Sequence, residues 1–147
     1  PAIERLQHTR NMYVIGRGFG WGIAREAALK LKETCGIHAE AYSGAELKHG
    51  PMAIVDRGFP VLALAQNDET RSGMQALAGE LLQTGATVIT GGQWCPGALS
   101  LPLIEANPML DPILFIQAFY RMANALSIRR GFNPDVPPHL KKVTETR

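Results

Sequence analysis

The chain has little of what would mark a secreted, metal-dependent, membrane-embedded or nucleic-acid-binding protein. Two cysteines, Cys35 and Cys95, occur in 147 residues. They stand far apart and match neither a disulfide framework nor a zinc-ligand spacing. Free thiols in a reducing compartment follow, so a cytoplasmic protein is expected. The four histidines (His8, His38, His49 and His139) lack the i, i+4 pairing of a helical metal site. No metal or other cofactor is expected. No apolar run reaches membrane-spanning length, and no signal peptide opens the chain. Neither sign of charge is in excess: Lys+Arg number 15 and Asp+Glu 13, for a net charge of +2. That balance, with no basic stripe interleaved with aromatics, gives no reason to expect nucleic acid as a partner. Arg129-Arg130 and Lys141-Lys142 read as solvated surface or as a charge complement to a helix C-terminus. An initiator methionine is also missing, and the start at Pro1 reads as the C-terminal part of something longer.

What is present is an ordinary soluble balance, 46% hydrophobic and 19% charged, in a chain long enough to bury a core as one domain. Short apolar segments bounded by Gly, Pro or polar residues predict buried parallel strands at 12–15, 61–65, 87–90 and 99–104. The last contains Pro102, which belongs at an edge. A very short fifth strand is expected at 39–42. A polar helix-like piece precedes the first strand. Helical patterns span 23–35, 47–55, 70–84 and 112–130, with Pro112 suited to a first turn and Gly131 to a stop. Strands alternating with helices predict a three-layer α/β/α sandwich around a mainly parallel sheet, with right-handed crossovers. Ligands of such sheets bind beyond the carboxyl ends of the strands, here the loops starting at Gly16, Gln66 and Gly91.

The helix at 23–35 carries the most informative pattern. At about 100° per residue, Ile23, Ala24, Ala27, Ala28, Leu31 and Cys35 share one apolar arc, and Arg25 and Lys32 share a polar one. Glu26, Lys30 and Glu33 form a second charged strip beside the core face. From the helix alone, exposed ion pairs worth a few tenths of a kcal/mol each would explain it. Downstream, Lys48-His49-Gly50-Pro51 presents an imidazole in a marked turn, with Lys48 offering a local charge. Carboxylate, amine and imidazole together suit proton transfer beside a carbonyl. The run Gly16-Arg-Gly18-Phe-Gly20-Trp-Gly22 opens the same helix. Its third G-x-G-x-x-G position falls on Trp21, so it reads as a tight strand-to-helix turn before a dinucleotide site.

Glu26-Ala-Ala-Leu-Lys-Leu-Lys-Glu33, Ile37-His-Ala-Glu-Ala-Tyr42, Glu46-Leu-Lys-His-Gly-Pro51 and Leu140-Lys-Lys-Val-Thr144 resemble the sugar isomerase (SIS) domain family. More narrowly, they resemble the second SIS domain of the isomerase module of glucosamine-fructose-6-phosphate aminotransferase. The resemblance covers essentially the whole chain and implies a flavodoxin-like SIS domain over residues 1–147, with 132–147 as a tail. It implies aldose–ketose isomerisation, with or without deamination, of a hexose or hexosamine 6-phosphate through an enediol(amine). Glu33 matches the family's general base, and Glu26 and Lys30 match the residues that position it. His49 matches a histidine that assists ring opening in a neighbouring subunit's site. Lys142 matches a tail lysine that forms a Schiff base with the open-chain ketose.

The family's implied partners are a sugar phosphate, a first SIS domain upstream and further copies of the chain, as a dimer or larger. The loops depart from the family's first SIS domain, whose Ser/Thr-rich turns cradle the phosphate. Here Gln66-Asn67-Asp68-Glu69-Thr70 offers few hydroxyls and two acids, so weak phosphate binding by this chain alone is expected. A non-catalytic, regulatory sugar-phosphate-binding SIS module is the rival expectation.

Overall fold

The computed structural model describes residues 1–104 and 106–140. Five strands, β1 (Asn11–Gly16), β2 (His38–Ser43), β3 (Pro60–Leu64), β4 (Thr87–Gly91) and β5 (Leu99–Leu101), pair in parallel in the order β2-β1-β3-β4-β5. The helices are α1 (Ala2–Leu6), α2 (Gly20–Cys35), α3 (Gly44–Lys48), α4 (Arg71–Gln83) and α5 (Asp111–Arg129), with a 3₁₀ turn at Pro51–Ile54.

Strand geometry sends alternate side chains to opposite faces, which divides the core in two. Met12 and Val14 of β1 pack with α1, α2 and α5. Tyr13 and Ile15 pack with α3, the residue after the 3₁₀ turn, and α4. The predicted three-layer sandwich is therefore present. Every residue of β3 is buried, as a central strand covered on both sides requires. Each fully buried Leu or Val contributes about 1.5–3 kcal/mol.

Three boundaries differ from the sequence expectation, each for a local reason. β5 stops at Leu101 because Pro102 has no N–H for the ladder. The helix expected at 47–55 is two pieces. Ser43 and Glu46 form a reciprocal capping box that starts α3 early. Gly50, at φ 151°, then ends it in a conformation that side-chain-bearing residues rarely adopt. The short strand expected at 39–42 is a full six-residue partner of β1. Among the described residues, no helix is long and apolar enough to cross a membrane.

Candidate active site

In this strand order the topological switch point lies between β1 and β3, where doubly wound sheets hold ligands. Here the chain fills that crevice itself. Gln66 is completely buried. With its amide oriented to suit its neighbours, Gln66 Nε2 donates to Arg17 O at 3.0 Å, and Oε1 accepts from the amides of Phe19 (3.0 Å) and Gly20 (3.1 Å). Gln66 thus occupies the amides of Phe19 and Gly20, and the Trp21 amide donates to Gly18 O at 3.2 Å, so three N–H groups at the start of α2 are engaged.

The glycines serve this closure. A Cβ on Gly16 would lie 2.5 Å from Gly20 O, and one on Gly20 would lie 2.8 Å from the Gln66 carboxamide. Three further donors nearby are engaged by carboxylates. Asp68 Oδ1 accepts from both the amide (2.9 Å) and the hydroxyl (2.6 Å) of Thr70. Asp111 Oδ2 accepts from the amide of Asn67 at 2.9 Å. Replacing Gln66 by Leu, similar in volume, is expected to cost about 2–4 kcal/mol, because buried amides lose their acceptor. The urea midpoint measures this, and a loss under about 1 kcal/mol would contradict the assigned bonds.

The charged strip lies elsewhere. Helix α2 runs down from the switch point, and Glu33 sits about 20 Å along it from Gly20. Glu33 therefore lies toward the end of α2 remote from the strand carboxyl ends. Glu26, Lys30 and Glu33 occupy the flank of α2 facing α5. Lys30 Nζ lies 2.6 Å from Glu33 Oε2 and 3.8 Å from Glu26 Oε1. The Glu26, Lys30 and Glu33 side chains are 33, 32 and 25% exposed, which is partial desolvation and not a free surface.

The hydrogen bond to Glu33 holds the Lys30 ammonium above the usual lysine range, against an opposing effect of burial, and Glu26 adds to the rise. Lys30 therefore stays charged at any pH near neutrality. Tyr120 of α5 donates its hydroxyl to Glu26 Oε1 at 2.8 Å. Sequence reasoning missed this residue, since 94 positions separate the partners. Arg25, Glu26 and Lys32 also line a surface cleft against Glu40 and Tyr42 of β2. The Tyr42 phenol is pushed up to about 12, first by its hydrogen bond to Glu40 and then by burial.

His49 is exposed at the C-terminus of α3. Its helix packs into the layer opposite that of α2, so the sheet separates His49 from the Glu26–Lys30–Glu33 strip within one chain. The local charge expected of Lys48 is committed to another partner: its ammonium pairs with both Glu80 carboxylate oxygens at 2.7 and 2.8 Å, tying α3 to α4. Lys142 lies outside the described residues.

A cavity of about 800 Å³ opens beyond β3, β4 and β5, lined among others by Asn67, Arg71, Trp94, Asp111 and Phe115. The Arg71 guanidinium stands 5.7 Å from the Trp94 ring centroid and donates to Gln66 O at 2.7 Å. The loop starting at Gly91 contributes to it, as expected for strand ends. Both cysteines are buried and free, and burial pushes each thiol up.

Residues 5–90 match the SIS domain family. The glutamine–fructose-6-phosphate aminotransferase (isomerizing) of Aeropyrum pernix is 37% identical over 147 residues, covering 96% of this chain and 24% of that protein. The chain thus spans about a quarter of the length of the curated relatives it matches. Among solved structures, the C-terminal domain of glucosamine-fructose-6-phosphate aminotransferase from Francisella tularensis matches with a TM-score of 0.81 at 30% identity, over 90% of this chain and 39% of that one. Glucosamine-6-phosphate deaminase from Thermotoga maritima matches with a TM-score of 0.71 at 27% identity, over 97% and 41%.

Proposed function

The chain belongs to the SIS domain family, and from that premise we propose that it supplies the proton-transfer half of a sugar-phosphate isomerase module. The substrate is a hexose or hexosamine 6-phosphate, interconverted between ketose and aldose through an enediol(amine), as the names of its relatives suggest. The observation that carries this is the Glu26–Lys30–Glu33 chain, with its 2.6 Å ammonium–carboxylate contact between side chains only a quarter to a third exposed. In this assignment the Glu33 carboxylate removes a proton from one of the first two sugar carbons and returns it to the other. Lys30 fixes the carboxylate's orientation and charge, and Glu26 fixes Lys30.

The phosphate is held by another domain of the same fold, a reading supported by the amides of Phe19, Gly20, Asn67 and Thr70 at this domain's switch point being occupied by Gln66, Asp111 and Asp68. His49, exposed on the opposite layer from Glu33, is proposed to serve ring opening in the site of a neighbouring copy, which makes the working form a homo-oligomer. Lys142 is proposed as the Schiff-base amine of the same module.

The test is solvent exchange. In heavy water, this domain joined to its phosphate-binding partner domain is expected to place deuterium at the first or second carbon of a hexose or hexosamine 6-phosphate. Proton NMR detects the loss of the carbon-bound signal. A panel of such sugar phosphates showing neither exchange nor isomerisation would overturn the assignment, and tight binding without turnover would favour a regulatory module.

A further inference from the structure

The peptide joining Gln66 to Asn67 is gripped on both edges. Its carbonyl oxygen accepts from Arg71 Nε at 2.7 Å, and its N–H donates to Asp111 Oδ2 at 2.9 Å. The peptide is trans, so the two side chains meet it from opposite sides. That arrangement sets a cation and an anion about 6–8 Å apart, too far to pair directly. Both line the cavity beyond β3, β4 and β5. Among the described residues neither forms a salt bridge, and their side chains use only Nε and Oδ2 in hydrogen bonds.

Asp111, in the first turn of α5, has an ordinary explanation, because an acid there meets the positive end of the helix dipole. Arg71 has none of that kind. It is the first residue of α4, where a cation opposes the dipole. It is held there by Gln66 O and by the Trp94 ring, whose centroid lies 5.7 Å from its guanidinium carbon. Trp94 is fixed in turn by its indole N–H on Gly91 O at 2.9 Å. The buried Phe115 ring and the half-buried Leu103 add an apolar wall to the same cavity.

We propose that this cavity binds a free α-amino acid, its carboxylate on Arg71 and its ammonium on Asp111. The separation of the two charges selects the ligand. In an α-amino acid they lie about 3 Å apart, and two charge-assisted hydrogen bonds of about 2.8 Å bridge the rest. A hexosamine 6-phosphate carries its charges across the whole sugar ring, a longer span than the fixed peptide offers. A simple anion would leave the Asp111 carboxylate facing it. The volume of about 800 Å³ leaves room for a side chain against Phe115 and Leu103. The cavity lies at the strand carboxyl ends, remote from Glu33, and does not depend on the assignment of that base.

The test is a nitrogen-15 NMR titration of the 147-residue chain, whose two tryptophans are Trp94 in the cavity and Trp21 on α2. A panel of α-amino acids, a hexosamine 6-phosphate and inorganic phosphate are added singly. An amino acid with an apolar side chain is expected to shift the Trp94 indole signal saturably at millimolar concentration, with Trp21 unmoved. Its hydroxy-acid analogue lacks the ammonium and its amide lacks the carboxylate. Each should bind about ten- to a hundredfold more weakly, the loss of one charged hydrogen bond. Asp111→Asn keeps an oxygen for the Asn67 amide, and should weaken the amino acid by the same factor while leaving the hydroxy acid unchanged. Arg71→Met should weaken the amino acid likewise and leave the amide unchanged. No saturable shift from any amino acid would overturn the site, and so would tighter binding of phosphate or the hexosamine 6-phosphate. Equal affinity of the unaltered chain for the amino acid, its hydroxy acid and its amide would overturn it without any variant.

Discussion

Glu33→Gln is expected to reduce proton exchange at the sugar carbons by about three to four orders of magnitude, the upper part of what a positioned general base contributes. Gln keeps the length and volume of Glu and still offers Lys30 an acceptor oxygen, so geometry survives while the proton acceptor is lost. Stability should hardly change. The pair is a quarter to a third exposed, and exposed ion pairs contribute at most about 1 kcal/mol. A large kinetic effect with an unmoved melting curve is therefore the signature of chemistry at this position. Glu33→Asp withdraws the carboxylate by one methylene, and a displacement on the order of 1 Å costs about a hundredfold. Exchange by Glu33→Gln within tenfold of the unaltered enzyme would exclude Glu33 as the base.

Arg130→Met is expected to lower the stability of the chain by about 2–4 kcal/mol, with no direct effect on the strip. The Arg130 guanidinium bonds five carbonyl oxygens and no carboxylate. Its Nε donates to Cys35 O at 2.6 Å, and Nη1 donates to Leu6, Gln7 and Thr9 O at 3.2, 2.8 and 2.8 Å. Nη2 reaches Gly36 O at 3.5 Å. These carbonyls come from the C-terminus of α2 and from the connection between α1 and β1. One cation thus joins three segments while meeting the negative end of the α2 dipole.

Beside it, a Cβ on Gly36 would lie 2.7 Å from the Phe132 ring, so the same junction is closely packed. Met replaces the apolar stem of Arg and removes the donors, leaving several carbonyls to find water. For a chain of this size the loss corresponds to a melting temperature lower by about 6–12 °C. Lys at this position should recover only part, since one ammonium lacks the planar reach of the guanidinium. A change below about 0.5 kcal/mol in the urea midpoint would show that water replaces these bonds without cost.

Much of the architecture is legible because its causes are local. The apolar runs at 12–15 and 61–65 are strands since both faces are covered, and a run needs no partner to be recognised. The expected helix at 47–55 fails where a local signal was underweighted: Gly50-Pro51 permits a turn that a regular helix does not. Arg130 was legible only as one of two options, surface charge or helix-end complement, and its five carbonyl partners settle on the second. Gln66 carried no signal of its role. A single Gln after an apolar run says nothing about which amides it will meet across a crevice.

The opposed position of His49 and Glu33 was not legible from residue spacing. Sixteen residues separate them, yet they lie in different layers because α2 and α3 cover opposite faces of the sheet. The residue types suggested one toolkit, the family resemblance implied a neighbouring subunit's site for His49, and the crossover between layers accords with the second.

By itself the sequence determined the alternation of strands and helices, the tight glycine turn before α2, and the placing of Glu26, Lys30 and Glu33 on one strip. Each follows from backbone periodicity over a few residues, at about 100° per residue in a helix and 180° in a strand. Only the tertiary structure decided which donor serves which carboxylate, that Gln66 closes the crevice, and that His49 faces away from the strip. Those outcomes depend on which elements pack together. Tyr120 meets Glu26 across 94 residues because α5 lies against α2, and no local period encodes that contact.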